Sequence, residues 1–357
     1  MANQVAYGFM NLQDRFAELV DDVGIRVITD AITISFDEYN RQFEATMRFF
    51  AQPVTDFQLR YKVPGTARLQ PLDENGRARP IKQAGHYDVS FPISEAGQAW
   101  GATWKERMKM TVEDANNTVN LLLLSDRVWM RDKILSSLYV NTTWQVDDED
   151  HGTLTIQPLA NGDSTTYPFW NAGVFGATDD HFGAQANPIS DSDNPYPAIY
   201  EELKEHPENT GDVVSFIPTN LKSATTGLAT FTDMPDPNLA DPNAVRLVGR
   251  PGMDVTPGTL IGYEASGVFV VEWPSLPDNY IVSMITNGPR PLGMREDPLP
   301  ALRGFRQIAT REDHPYWESQ WFRRAGFGVY NRIGATITRI GNASYAPPSI
   351  YNNPNMY

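Results

Sequence analysis

The sequence predicts an α+β protein of about two domains, with surfaces suited to assembly and no visible active site. Three observations predict it: one capped helix of about thirty residues, a long basic β-hairpin on an otherwise acidic chain, and a run of short apolar strands broken by Pro and Gly. At 357 residues the chain exceeds one small core, since domains run to roughly 100–200 residues. Apolar residues make up 41% and charged residues 20%, enough to bury a substantial core.

The elements follow in chain order. Residues 1–54 read as an arm and a helix. Leu12, Phe16, Leu19 and Val20 have brief helical spacing, and Val27 to Ile34 runs apolar without an obvious partner. Ser35-Phe-Asp-Glu38 fits a capping box, and Tyr39, Phe43, Met47 and Phe50 follow at spacings of four and three, so a helix is expected from Ser35, closed by Pro53.

Residues 55–95 read as a hairpin. Phe57, Leu59, Tyr61 and Val63 alternate with polar residues, as do Tyr87, Val89, Phe91 and Ile93, and Asp73-Glu-Asn-Gly76 between them is a turn signal. Between 56 and 93, Arg60, Lys62, Arg68, Arg77, Arg79 and Lys82 stand against Asp56, Asp73, Glu74 and Asp88, a balance of +2. The whole chain is at −15, which leaves −17 for the rest. A lone hairpin is at best marginally stable in water. Opposite charge suggests that this one docks on another copy's body; the alternative is a solvated hairpin packed on its own domain.

Thr111-Val-Glu-Asp114 resembles a capping box, and the segment runs to about Asn141 without Pro or Gly, a helix of about 45 Å. Val112, Ala115, Val119 and Leu122 mark one stripe with Met108, and Leu121, Leu124, Val128, Leu135 and Leu138 another; the 121–124 run is expected in the core. Residues 144–200 are loop-rich, with a strand at Thr153 to Ile156, a solvated turn in preference to a metal site at Asp147–Asp150, and a helix over Pro197 to His206. Strands are expected at 213–217, 245–248, 259–263, 268–273 and 280–285, and a last strand or hairpin over 327–340.

Chemistry is sparse. The chain has no cysteine, which excludes disulfides, thiolate metal sites and cysteine nucleophiles. No G-x-x-x-x-G-K-S/T phosphate loop occurs. Gly326-Phe-Gly328 lacks the third glycine of a dinucleotide fingerprint, and the stretch from Gly262 to Gly267 misses the nucleophile-elbow spacing. No two of His86, His151, His181, His206 and His314 sit four apart, so the helical zinc motif is missing. Asp179-Asp-His181 could hold a metal or activate a nucleophile; a hydrogen-bonded loop histidine is the more ordinary state. No catalytic residue, cofactor or metal is therefore expected. The acidic surface disfavours broad binding to duplex nucleic acid. No stretch of about 18 apolar residues occurs that could cross a membrane, and Met1 to Tyr7 lacks the pattern of a secretory signal.

The order of elements, and three short segments, resemble the major capsid protein of tailed bacteriophages, the Hong Kong 97-type coat fold. Leu276-Pro-Asp-Asn-Tyr280 resembles an LP-x-x-Y segment, Pro291-Leu-Gly-Met-Arg295 a PL-x-x-R segment, and Gly326-Phe-Gly328 through Asn331-Arg332 to Gly334-Ala335 a closing GFG-x-x-NR-x-GA pattern. The resemblance implies an N-terminal arm, an extended loop at 55–95 laid over a neighbour, a peripheral domain at 96–210 with a spine helix at 111–141, an axial domain at 211–324, and a return strand and tail at 325–357. Arg60, Lys62, Arg68, Arg77, Arg79 and Lys82 become inter-subunit contacts of that loop. No asparagine or assisting glutamate matches a cross-link to Lys62 or Lys82. The resemblance further implies pentamers and hexamers closing an icosahedral shell around double-stranded DNA, without sequence-specific binding. Expected partners are other copies of the chain, a portal, a separate scaffolding protein and cement proteins, in a virion assembled in the host cytoplasm. The alternative is a nanocompartment shell of the same fold around cargo protein.

Overall fold

The computed structural model describes residues 8–63, 71–78, 85–169, 177–234, 258–313 and 316–353. After a one-turn helix α1 (Val20–Val23), helix α2 (Ile25–Phe50) runs for 26 residues. Its start corrects the expected one. Gly24, at φ +93°, takes the N-cap position, a conformation open to glycine. Ser35 lies ten residues inside, fully buried, and its hydroxyl donates to Ala31 O and to Gly8 O of the arm. A tertiary acceptor captures the serine that would otherwise read as a cap. The stripe of Tyr39, Phe43, Met47 and Phe50 is buried as expected. Pro53 does not end the helix; it sits in β1 (Ala51–Val54), at the sheet edge where a missing N–H is tolerated.

Strands β2 (Gln58–Val63) and β3 (Gly85–Ser90) form the hairpin, followed by β4 (Ser94–Thr103) and the short helix α3 (Trp104–Arg107). The spine α4 (Val112–Tyr139) begins where the sequence predicts. Thr111 Oγ1 accepts from the Asp114 N–H, and Asp114 accepts from the Thr111 N–H. At 28 residues it is about 42 Å long. Val112, Ala115, Val119, Leu122 and Leu123 are buried, but Leu121 is 63% exposed and Leu124 and Val128 are exposed with it. The four-leucine run therefore straddles the boundary of the core, because α4 packs one side only against α2 and the sheet.

A small hairpin, β5 (Trp144–Asp148) and β6 (Gly152–Ile156), precedes β7 (Phe182–Gln185) and helix α5 (Tyr196–Lys204). Then come β8 (Val213–Ile217), α6 (Thr219–Thr226), β9 (Phe231–Asp233), β10 (Thr259–Glu264), β11 (Val268–Glu272), β12 (Tyr280–Ile285), β13 (Leu292–Glu296), β14 (Arg306–Asp313), β15 (Tyr316–Val329) and β16 (Ala335–Ile340). The strand expected at 245–248 lies outside the described residues.

Two larger sheets organise the chain. One has the order β7-β16-β12-β8-β11-β10-β9; the other runs β1-β13-β15-β14, with β4 also paired to β15. Sheet membership crosses the intervals drawn from sequence. Strands β13 and β14 fall within 211–324 but belong to the sheet of β1, while β16 falls beyond 324 and pairs with β12. The segment 327–340 is thus the end of one strand and all of another, in different sheets. The larger sheet is apolar on both faces. Val214, Phe216, Val282 and Met284 pack into the core shared with α2 and α4. Val213, Ile217, Ile281 and Ile285, of opposite parity, pack with Ile199, Leu203 and Leu221 of α5 and α6. This double burial explains why those strands read as continuous apolar runs instead of alternating.

Candidate functional site

The hairpin pairs in register from Gln58 opposite Ser90 to Val63 opposite Gly85. Alternation divides its faces. Tyr61 and Tyr87 stack across the strands at 5.5 Å, and their rings reach Tyr330 and Tyr167 edge-on. Val89 and Phe91 are fully buried. On the other face Arg60 grips Asp88 with two hydrogen bonds of 2.7 and 2.9 Å. The root of the hairpin therefore packs on its own body, and Arg60 is committed within the hairpin.

Close packing at the root accounts for two motif glycines. A side chain at Gly326 would stand 2.3 Å from Pro92 O, and one at Gly328 2.5 Å from Ser90 O; only hydrogen fits there. Arg295 completes the anchor. Its Nη1 donates to Phe91 O at 3.0 Å and to Asp148 Oδ2 at 2.5 Å, while the His151 ring meets Asp148 Oδ1 at 2.8 Å and stacks on Phe57. Asp148 is thus buried and paired, which corrects the reading of Asp147–Asp150 as a wholly solvated turn. Burial alone would raise the Asp148 carboxyl, but the hydrogen bonds from Arg295 and His151 outweigh it and hold the pKa at about 2. A carboxyl depressed on folding stabilises above its unfolded pKa near 3.8, and that contribution fades as pH falls towards 2. Urea unfolding of the wild type should show about 2 kcal/mol more acid sensitivity over that window than Asp148→Asn. Superimposable pH profiles would remove the pair from the anchor.

Beyond the root, residues 71–78 are exposed. The turn signal holds: Asp73 Oδ1 accepts from the N–H groups of Asn75 and Arg77, and Gly76 takes φ +72°. Arg77 and Leu72 are exposed at this tip. Lys62 stands opposite His86 in the register. Arg68, Arg79 and Lys82 lie outside the described residues.

Buried ion pairs hold the frame behind the hairpin. Asp126 of the spine accepts from Arg323 of β15 at 2.6 and 2.7 Å and from the Tyr39 hydroxyl of α2 at 2.8 Å. Arg332, of the closing motif, is 1% exposed and ties down the loop at 158–165 through Pro158 O, Asn161 Oδ1 and Asp163. His181 is also buried, and His206 stands beside it on the same carboxylate of Asp179. Sequence reasoning passed over His206, Asp126 and Arg323. A charged residue within an apolar helix stripe is the one local signal that could have marked Asp126.

No protein-family model matches the chain, and no curated protein does. Solved structures do. One of Mycobacterium phage Patience superposes with a TM-score of 0.68 at 21% identity, over 99% of this chain and 98% of that one. The fold is the Hong Kong 97-type capsid fold. The asymmetric unit of the bacteriophage PhiM1 mature capsid follows at TM-score 0.52 and 9% identity, covering 83% of this chain and 86% of that one. The capsid of cyanophage P-SCSP1u gives 0.51 and 8%, covering 84% and 88%. In this capsid fold the motif residues Arg295, Gly326, Gly328 and Arg332 all serve packing, the arginines by satisfying buried carbonyls and carboxylates and the glycines by admitting the hairpin root.

Proposed function

We propose that the chain is the shell-forming head protein of a tailed phage, assembling as pentamers and hexamers into an icosahedral shell around double-stranded DNA. The superposition over nearly the full length of both chains carries this reading. The exposed hairpin tip supports it: a finger rooted on its own body, with Leu72 and Arg77 exposed, suits a neighbour's acidic surface. Heterologous contacts of that kind close into rings. The peripheral domain is then the spine α4 with α2 and the sheet around β15. The axial domain is the seven-stranded sheet with α5 and α6, in place of the interval 211–324. Portal, scaffolding and cement proteins are the further partners of this reading. A net charge of −15 would keep packaged DNA from adhering to the lining.

Negative-stain microscopy of the expressed chain tests the proposal. Closed polyhedral particles, or rings of five or six, are the expected result. A monodisperse monomer at high concentration would contradict it. Nuclease-protected DNA in particles made during infection separates a phage head from a nanocompartment, whose particles would protect protein cargo instead.

A further inference from the structure

Asp179, His181 and His206 bring three ligand atoms together inside the protein. Both histidines are 0% exposed and the Asp179 side chain 9%. Their protons can be located by elimination. His181 Nδ1 lies 2.7 Å from Ala335 O, and His206 Nδ1 lies 2.9 Å from Pro168 O. A carbonyl only accepts, so both Nδ1 atoms carry hydrogen. Neutral rings then aim bare Nε2 lone pairs at each other, 3.2 Å apart, and at Asp179 Oδ2, 2.8 Å from each. Three acceptors converge with no donor between them among the described residues. Protons satisfy both contacts to the carboxylate only if two are added, which leaves a net positive charge on the group in a buried interior.

One divalent cation satisfies all three lone pairs at once. We infer that Asp179, His181 and His206 form a buried zinc site with three protein ligands. Tetrahedral zinc with bonds of about 2.0–2.1 Å spaces its ligand atoms roughly 3.3 Å apart. The observed triangle of 2.8, 2.8 and 3.2 Å reaches that by shifts of a few tenths of an ångström. The Nδ1 bonds to backbone carbonyls are the outer support that orients metal-binding imidazoles. Two imidazoles with one carboxylate suit zinc better than calcium or magnesium. Glu202 and Glu205 group with Asp179 within 4.8 Å and offer further carboxylate oxygens beside it. Phe169, with its ring 4.9 Å from that of His206, flanks the site. The ion would clamp the approach to β7, the chain just past α5, and through Ala335 the start of β16.

The full-length protein, stripped with a chelator and titrated with zinc chloride, is expected to bind one zinc per chain and to melt at a higher temperature. Cobalt(II) in its place should give the visible absorption of a tetrahedral complex. His206→Ala and Asp179→Asn should lose stoichiometric uptake, while His151→Ala keeps it. If those variants do not fold, the wild-type cobalt spectrum decides. A folded wild-type chain that leaves zinc in the dialysate and cobalt in its aquo spectrum would overturn the site, as would preferential uptake of calcium.

Discussion

A chain in which residues 64–84 are replaced by Asn-Gly is expected to fold as a subunit and to form no shells. Val63 and Gly85 are paired in the register, so a two-residue turn can join the strands directly. Every contact of the root survives: Tyr61 on Tyr330, the buried Val89 and Phe91, and Arg295 on Asp148. Subunit stability should therefore stay within about 0.5 kcal/mol, as for changes away from buried features. What is removed is the exposed segment 71–78 with Arg77, together with the charges that Arg68, Arg79 and Lys82 carry in the same stretch of sequence. Circular dichroism and a thermal melt check folding, and microscopy checks assembly. Normal shells from this variant, or a subunit that unfolds globally, would refute the role given to the hairpin.

Truncating Arg323 or Asp126 should have the largest effect on the subunit itself. The pair is buried, with side-chain exposures of 4% and 1%. It joins the spine, β15 and, through Tyr39, α2. Burial lowers the basicity of Arg323, but the adjacent Asp126 carboxylate outweighs this and keeps it charged. Arg323→Ala leaves the carboxylate without its cation, and Asp126→Ala strands the guanidinium; either should cost about 3–5 kcal/mol. That is a large part of the 5–15 kcal/mol typical of whole-domain stability. Replacing both, as Arg323→Met with Asp126→Leu, should recover much of the loss, because no unpaired charge remains. Urea unfolding of the three variants measures the coupling. Single variants within 1 kcal/mol of the wild type would show that the pair is not holding these elements together.

Local signals in the sequence were accurate where the structure is local. Thr111 and Asp114 cap the spine as their spacing predicts, the Asp73 turn forms as its residues predict, and the alternating runs before and after it pair with each other. The same logic failed where a distant segment intervened. Ser35 has the neighbours of a cap, yet Gly8 O and a preceding helical turn claim its hydroxyl. Leu121 and Leu124 have the composition of core, yet they face outward because nothing in the same subunit covers that side of the spine among the described residues. Of the basic residues assigned to the hairpin, Arg60 spends its charge on Asp88, a cross-strand pairing that follows from register and not from composition.

The sequence by itself determined the α+β class, the hairpin and its turn, the capped spine and the absence of a phosphate loop, because each depends on residues within a few positions of one another. Only the tertiary structure decided which strands share a sheet, which charges are buried, and that His206 meets His181. Asp148 with Arg295, and Asp126 with Arg323, are separated by 147 and 197 positions. The physical reason is that periodicity states which face of an element is apolar but not what will cover it. An ion pair across such distances leaves no local pattern; it exists only once packing has excluded the water that would otherwise separate the two charges.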